Sequence, residues 1–216
     1  MRDFVVLSHG VGVCRDMLKI SCSRTLAWCK KHDLDFRAST RREAPGCAFW
    51  WDKPAFMRRV LKECEDGTEL TWIDADGIVV QTDVSPRGVL PAVFDLGMRF
   101  MDNHWAAPGV QYFQTGVIFV RNTANLRTLV DEWFDMRTQA AANVPGIPPA
   151  YDEWAMTRLL EHTGFPVFHL PGAWNSFRED EYPIIRAFHG WDHGRVLEKL
   201  RDECCTSVRR LKIKEG

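Results

Sequence analysis

The chain has 216 residues, 45% of them apolar and 26% charged, with a formal net charge of -1. That length suits one substantial domain, and the apolar fraction is enough for a real core, which excludes global disorder. The near-neutral charge argues against nucleic-acid binding through bulk charge, and no run approaches the roughly 20 apolar residues of a membrane-spanning helix.

The chain opens with an acid, Asp3, and a short apolar run from Phe4 to Leu7. This reads as a buried strand over Phe4 to Ser8, not as a signal peptide. His9-Gly10-Val11-Gly12 supplies the turn after it. A helix is expected from about Asp16 to His32, with Leu18, Cys22, Thr25, Leu26 and Cys29 on its apolar face. Asp35 to Ala38 reads as a second short strand and Arg41 to Gly46 as a loop. Asp52 is placed to cap the next helix, with Pro54 in its first turn and Phe56, Met57, Val60, Leu61 and Cys64 as its buried stripe. Gly67 ends that helix.

Glu69 to Ile73 reads as a strand running straight into Asp74-Ala75-Asp76-Gly77, with Ile78 to Val80 extended beyond it. From Pro86 to Ala107 the pattern is weak, with a short helix expected around Leu90 to Phe94. Tyr112 to Val120 is strand-like, interrupted at Gln114-Thr115-Gly116. Helices are expected over Ala124 to Arg137 and Asp152 to Glu161, separated by a proline-rich loop. Phe165 to Leu170 returns as a strand. Strands and helices that alternate in this way predict a layered α/β sheet. One domain is expected over residues 1–203, followed by a basic tail over 204–216 that reads as solvated surface.

Seven cysteines, an odd number with no C-x-x-C pair, read as reduced core residues and point to a cytoplasmic location.

The strongest local signal is the acidic pair. Ligands of open α/β sheets bind beyond the carboxyl ends of strands, where Asp74 and Asp76 stand. Residues i and i+2 of an extended segment face the same side, so both carboxylates can hold one hard cation. Such a cation bridges the phosphates of a nucleotide diphosphate and neutralises a leaving phosphate. The plain alternative is a solvated Asp-Gly turn. An EF-hand is excluded, because Ser85 occupies position 12 of the loop counted from Asp74. A haloacid-dehalogenase-like phosphatase, with Asp74 as nucleophile, uses the same residues, but no later lysine and acidic pair completes it.

Taken in order, several segments resemble the GT-A glycosyltransferases, particularly the retaining galactosyl- and mannosyltransferase-like group. Trp51-Asp52-Lys53-Pro54 resembles its W-x-K helix start, and Asp74-Ala75-Asp76 its metal-binding D-x-D. Gln114-Thr115-Gly116-Val117 is similar to its N-T-G-V strand, with Gln in place of Asn. Tyr151-Asp152-Glu153 stands where it has an Asp-Gln pair, with Glu in place of Gln. Pro171-Gly172-Ala173-Trp174-Asn175-Ser176-Phe177 and Phe188-His189-Gly190 resemble its later L-P-x-x-x-N-S-Y and H-x-G segments.

The resemblance implies a GT-A-like domain, a mixed and mainly parallel sheet flanked by helices. It implies transfer of a sugar from a UDP- or GDP-sugar to an acceptor hydroxyl, with retention. Asp74, Asp76 and His189 would hold Mn²⁺ or Mg²⁺, with His193 a substitute for His189. Ser8, His9 and Gly10 would meet the nucleotide, although a glycine turn explains them equally. Lys53 and Arg42 are either phosphate contacts or solvated charges. Ala75 lies between the two acids against the donor. Asp152 and Glu153 either face the transferring sugar or open a helix, and Gln114 either faces the reacting carbon or bonds a strand end. Trp50, Trp51, Trp174 and Trp191 are either stacking surfaces or core. A glycan, lipid, protein, small molecule or modified nucleic-acid base all remain open as acceptor. A non-catalytic nucleotide-sugar-binding module and a nucleotidyltransferase are the other readings of this fold.

Overall fold

The computed structural model describes residues 3–102, 111–138, 152–176, 182–188 and 192–214. The apolar start forms β1 (Phe4–His9), and α1 (Cys14–Lys31) returns the chain to a parallel β2 (Asp35–Ser39). A loop and a short 3-10 turn at Phe49–Trp51 lead into α2 (Asp52–Glu63), which delivers the chain to β3 (Glu69–Ile73), parallel to β1 on its other side. Then follow β4 (Gly77–Val79), β5 (Leu96–Asp102), β6 (Gln111–Arg121), α3 (Ala124–Asp135), α4 (Asp152–Thr163), β7 (Phe168–His169), β8 (Ile185–Ala187) and α5 (His193–Lys214).

The main sheet has the order β2-β1-β3-β6-β5-β7, and β6 alone runs against the other five strands. It is the mixed, mainly parallel sheet expected. A second, two-stranded sheet pairs β4 with β8 antiparallel. Alternation along the strands sorts the core into two layers. Val5, Leu7, Leu70, Trp72, Ile118 and Val120 face α2, α3 and α4, while Phe4, Val6, Ile73, Val117 and Phe119 face Trp28 of α1 and Trp174. A smaller cluster of Met17, Leu18, Ala75, Ile78, Phe188, Val196 and Leu200 joins α1 to α5 beneath β4.

Several expectations change. The buried face of α1 is Met17, Leu18, Ser21, Arg24, Thr25, Trp28 and Cys29, whereas Leu26 is 41% exposed and Cys22 half-buried. Leu18, Thr25 and Cys29 keep their places. Apolar character alone misplaced Leu26, because Arg24 and Ser21 are buried on hydrogen bonds to the carbonyls of Val79, Val80 and Ala75. No helix forms around Leu90 to Phe94; that stretch is turns, and β5 follows it. Helix α5 continues through the expected 203/204 boundary as far as Lys214. Among the described residues no helix is long and apolar enough to cross a membrane.

Asn122, which is fully buried, closes the turn between α2 and β3. Its Nδ2 donates to the carbonyls of Leu61, Cys64 and Glu65, each at 3.0 Å, which satisfies helix-end acceptors that have no intrahelical donor. Asn122→Ala is expected to cost about 2 kcal/mol in a urea melt, the usual price of orphaned buried carbonyls. A loss under about 0.5 kcal/mol would mean that water replaces the amide.

Candidate active site

The carboxyl ends of β1, β2 and β3 point one way and define the edge where Ser8, His9, Asp74 and Asp76 stand. β3 ends at Ile73, and its alternation puts Asp74 on the side of Trp72, toward α2 and α4. The backbone does not stay extended there. Asp74 to Gly77 form a tight turn closed by Gly77 N donating to Asp74 O at 2.9 Å, so the extended-strand argument for a shared side does not apply. The charges of both acids reach Cys14 at the start of α1: burial pushes its thiol up to about 11, and the charges of Asp76 and Asp74 add to that rise. Gly77 is needed here, since a Cβ would sit 2.8 Å from Ile73 Cγ2. Ala75 is buried, and its carbonyl accepts from Ser21 Oγ at 3.1 Å.

Asp74 is held from two directions. Trp72 Nε1 donates to its Oδ1 at 2.7 Å, and Lys53 Nζ lies 3.0 Å from the same oxygen. Lys53, in the first turn of α2, is only 7% exposed. Its ammonium also reaches Asp152 Oδ2 at 2.8 Å, the Thr115 carbonyl at 3.0 Å and the Thr115 hydroxyl at 2.9 Å. Burial acts to lower its pKa, but the charges of Asp152 and Asp74 outweigh that and hold it above the usual lysine range. Lys53 therefore spends its charge on two carboxylates inside the protein.

The interruption at Gln114-Thr115-Gly116 is a β-bulge. Met98 of β5 pairs with Ile118, yet the next residue, Arg99, pairs with Gln114, so Thr115, Gly116 and Val117 have no partner on β5. Bulges re-aim side chains beside sites. Here the Gly116 carbonyl accepts from Asp74 N at 2.8 Å, Thr115 Oγ1 donates to Asp152 Oδ2 at 3.0 Å, and Thr115 N donates to Glu153 Oε1 at 3.2 Å. Asp152 and Glu153 open α4, where the helix dipole favours acids. Gln114 is 4% exposed, and among the described residues its Oε1 accepts no hydrogen bond.

At the end of β1, Ser8 and His9 are buried, and His9 Nε2 lies 2.7 Å from the Arg41 carbonyl. Gly10 allows α1 to start at once, since a Cβ there would meet the Cys14 carbonyl at 2.5 Å. Arg42 is engaged by Asp52 and by the Ala44 and Cys47 carbonyls. Trp51 and Trp174 are core residues, and Trp50 is partly buried against the core. Trp191 and His189 lie outside the described residues, and His193 opens α5.

The structure thus gathers Lys53, Asp74, Asp152 and Glu153 into one network. Sequence reasoning missed Thr115 and Trp72, its two neutral anchors. Both had a signal, Trp72 in its shared strand face with Asp74 and Thr115 in the broken alternation of β6.

A divalent cation would find hard oxygen donors at Asp74 and Asp76, which suits Mg²⁺ or Mn²⁺. Among the described residues no group of three or more potential ligands gathers to complete such a site. The two carboxylates suit the cation as part of a larger donor set, and His189, expected from the sequence as its third member, lies outside the described residues.

No family model and no curated protein matches the sequence. Solved structures do match the fold. A glycosyltransferase involved in the glycosylation of the major capsid of PBCV-1 superimposes with a TM-score of 0.67 at 12% identity, over 92% of this chain and 98% of that one. GlyE, a glycosyltransferase of Streptococcus pneumoniae TIGR4, gives 0.61 at 10% identity, over 98% of this chain and 64% of GlyE. The galactosyltransferase LgtC, in complex with donor and acceptor sugar analogues, gives 0.54 at 11% identity, over 92% of this chain and 95% of LgtC. The chain has the GT-A glycosyltransferase fold. At these identities the likeness defines the architecture.

Proposed function

We propose that this protein is a metal-dependent glycosyltransferase that takes a sugar from a nucleotide-diphosphate donor and passes it to an acceptor hydroxyl. The observation that carries the reading is the turn Asp74-Ala75-Asp76-Gly77 at the carboxyl end of the central strand β3, on a fold shared with glycosyltransferases. Asp74 and Asp76 would hold Mn²⁺ or Mg²⁺ with His189, and the bound cation would supply charge neutralisation at the leaving diphosphate. Ser8, His9 and Gly10, at and just past the end of β1, would meet the nucleotide.

Asp152 and Glu153, joined to the bulge through Thr115, would bring two carboxylates to the transferring sugar, with Gln114 next to Thr115 in the chain. Asp152 is fixed by Lys53 and Thr115, which suits a group that orients a hydroxyl rather than one that moves to attack. Positioning and leaving-group stabilisation then carry the reaction. Retention of anomeric configuration and a UDP- or GDP-linked donor follow from the resemblance. The six cysteines whose side chains are described are all free thiols, which supports a reducing, cytoplasmic setting.

The test is incubation of the purified protein with a panel of UDP- and GDP-sugars, with Mn²⁺ or with EDTA, reading the nucleoside diphosphate released. Slow hydrolysis of one donor, present with Mn²⁺ and lost in EDTA, is the expected result. Donor binding in a calorimeter without turnover would instead make the chain a nucleotide-sugar-binding module. Neither binding nor turnover, together with hydrolysis of small phosphoesters, would turn Asp74 into a phosphatase nucleophile.

A further inference from the structure

We infer that Lys53 is a positioning residue that ties Asp74 to Asp152 and restrains the grip of Asp74 on a divalent cation. The inference rests on the metal-site reading of Asp74 and Asp76. Its ground is the arrangement around one buried ammonium, whose donors reach Asp74 on the turn after β3, Thr115 on the bulge of β6 and Asp152 at the start of α4. Three elements of the site meet on a side chain that is itself only 7% exposed.

A buried ion pair is a poor device for stability alone, since desolvation of both charges offsets most of their attraction. Its consequence for a cation is direct. An ammonium 3.0 Å from Asp74 Oδ1 neutralises part of the charge that would draw a metal to that carboxylate, and it repels the metal itself. Asp152 and Thr115 share the ammonium and keep it from settling wholly on Asp74. Trp72, donating at 2.7 Å, fixes the same oxygen without adding charge. Lys53 thus sets both the rotamer of Asp74 and the strength with which the pair binds a cation, keeping it weak enough to leave with a nucleoside diphosphate.

The experiment titrates Mn²⁺ into the full chain with UDP or with GDP present, reading free Mn²⁺ by electron paramagnetic resonance. Thermal melts report folding of each variant. Lys53→Gln, which removes the charge, is expected to tighten Mn²⁺ about tenfold, and Lys53→Arg, which restores it, to return the affinity to within about threefold of wild type. A folded Lys53→Gln protein with unchanged or weaker Mn²⁺ binding overturns the inference, and marks Lys53 as a structural ion pair. If Lys53→Gln does not fold, Thr115→Val decides. It is similar in size and neutral, and it frees the ammonium to lean on Asp74, so Mn²⁺ binding should weaken about threefold. Unchanged binding there also overturns the inference. Wild-type protein that takes up no Mn²⁺ with either nucleotide sinks the metal reading, and this inference with it.

Discussion

Asp76→Asn is expected to lower metal-dependent donor hydrolysis by about a thousandfold, while the melting temperature moves by no more than about 2 °C. A thousandfold loss corresponds to about 4 kcal/mol of transition-state stabilisation, the scale of a cation's contribution at a developing diphosphate. Asparagine keeps the size of the side chain and loses the charge that a hard cation requires. The turn survives, because it is closed by the backbone bond from Gly77 to Asp74 and shaped by the absence of a Cβ at Gly77. Released nucleoside diphosphate and a thermal melt, measured on the same preparation, separate the two effects. Hydrolysis within about tenfold of wild type would remove Asp76 from the metal site.

Asp52→Ala is expected to do the reverse, with a stability loss of about 3 kcal/mol and a melting temperature lower by roughly 6 to 12 °C. The sequence placed Asp52 as the cap of α2. In the structure Trp51 holds that position without a side-chain cap, and the Asp52 carboxylate turns to the preceding loop. It is 0% exposed, accepts from Glu43 N at 2.7 Å and Ala44 N at 2.6 Å, and pairs with Arg42 Nε at 2.6 Å. Alanine leaves two backbone donors and a guanidinium without their acceptor, and each buried orphan costs about 1 to 3 kcal/mol. Because Lys53 is the next residue, the loop also holds the start of α2 against the site. Asp52→Asn keeps an acceptor oxygen and should lose about half as much. An alanine variant that melts within about 2 °C of wild type would show that the loop finds other acceptors.

Much of this was legible in the chain itself. Glu69 to Ile73 is apolar and β-branched enough to be a strand wherever it lies, and the acids that follow mark its end as the place for chemistry. β3 has those bounds. The stripe of α2 from Phe56 to Leu61 is buried as its spacing requires, and even the bulge announced itself as a break at Gln114-Thr115-Gly116. These features are local, because periodicity and turn chemistry act over a few residues and need no partner.

Other features had no local cause. β5 and β8 are strands because β6, β7 and β4 offer them hydrogen bonds, and nothing in Leu96-Gly97-Met98-Arg99 demands it. α1 buries Arg24 and Ser21 because carbonyls at the end of β4 and in the Asp74 turn lie within reach, which no hydrophobic pattern contains. Lys53 reads in sequence as one more charge at a helix start. It becomes the centre of the site only when β3, β6 and α4, from positions 21, 62 and 99 residues further along the chain, close around it. The sequence by itself determined where the central strand ends and that an acidic pair follows it. Tertiary structure alone decided which charges meet, because the energy of an ion pair depends on distance and burial in space and not on separation along the chain.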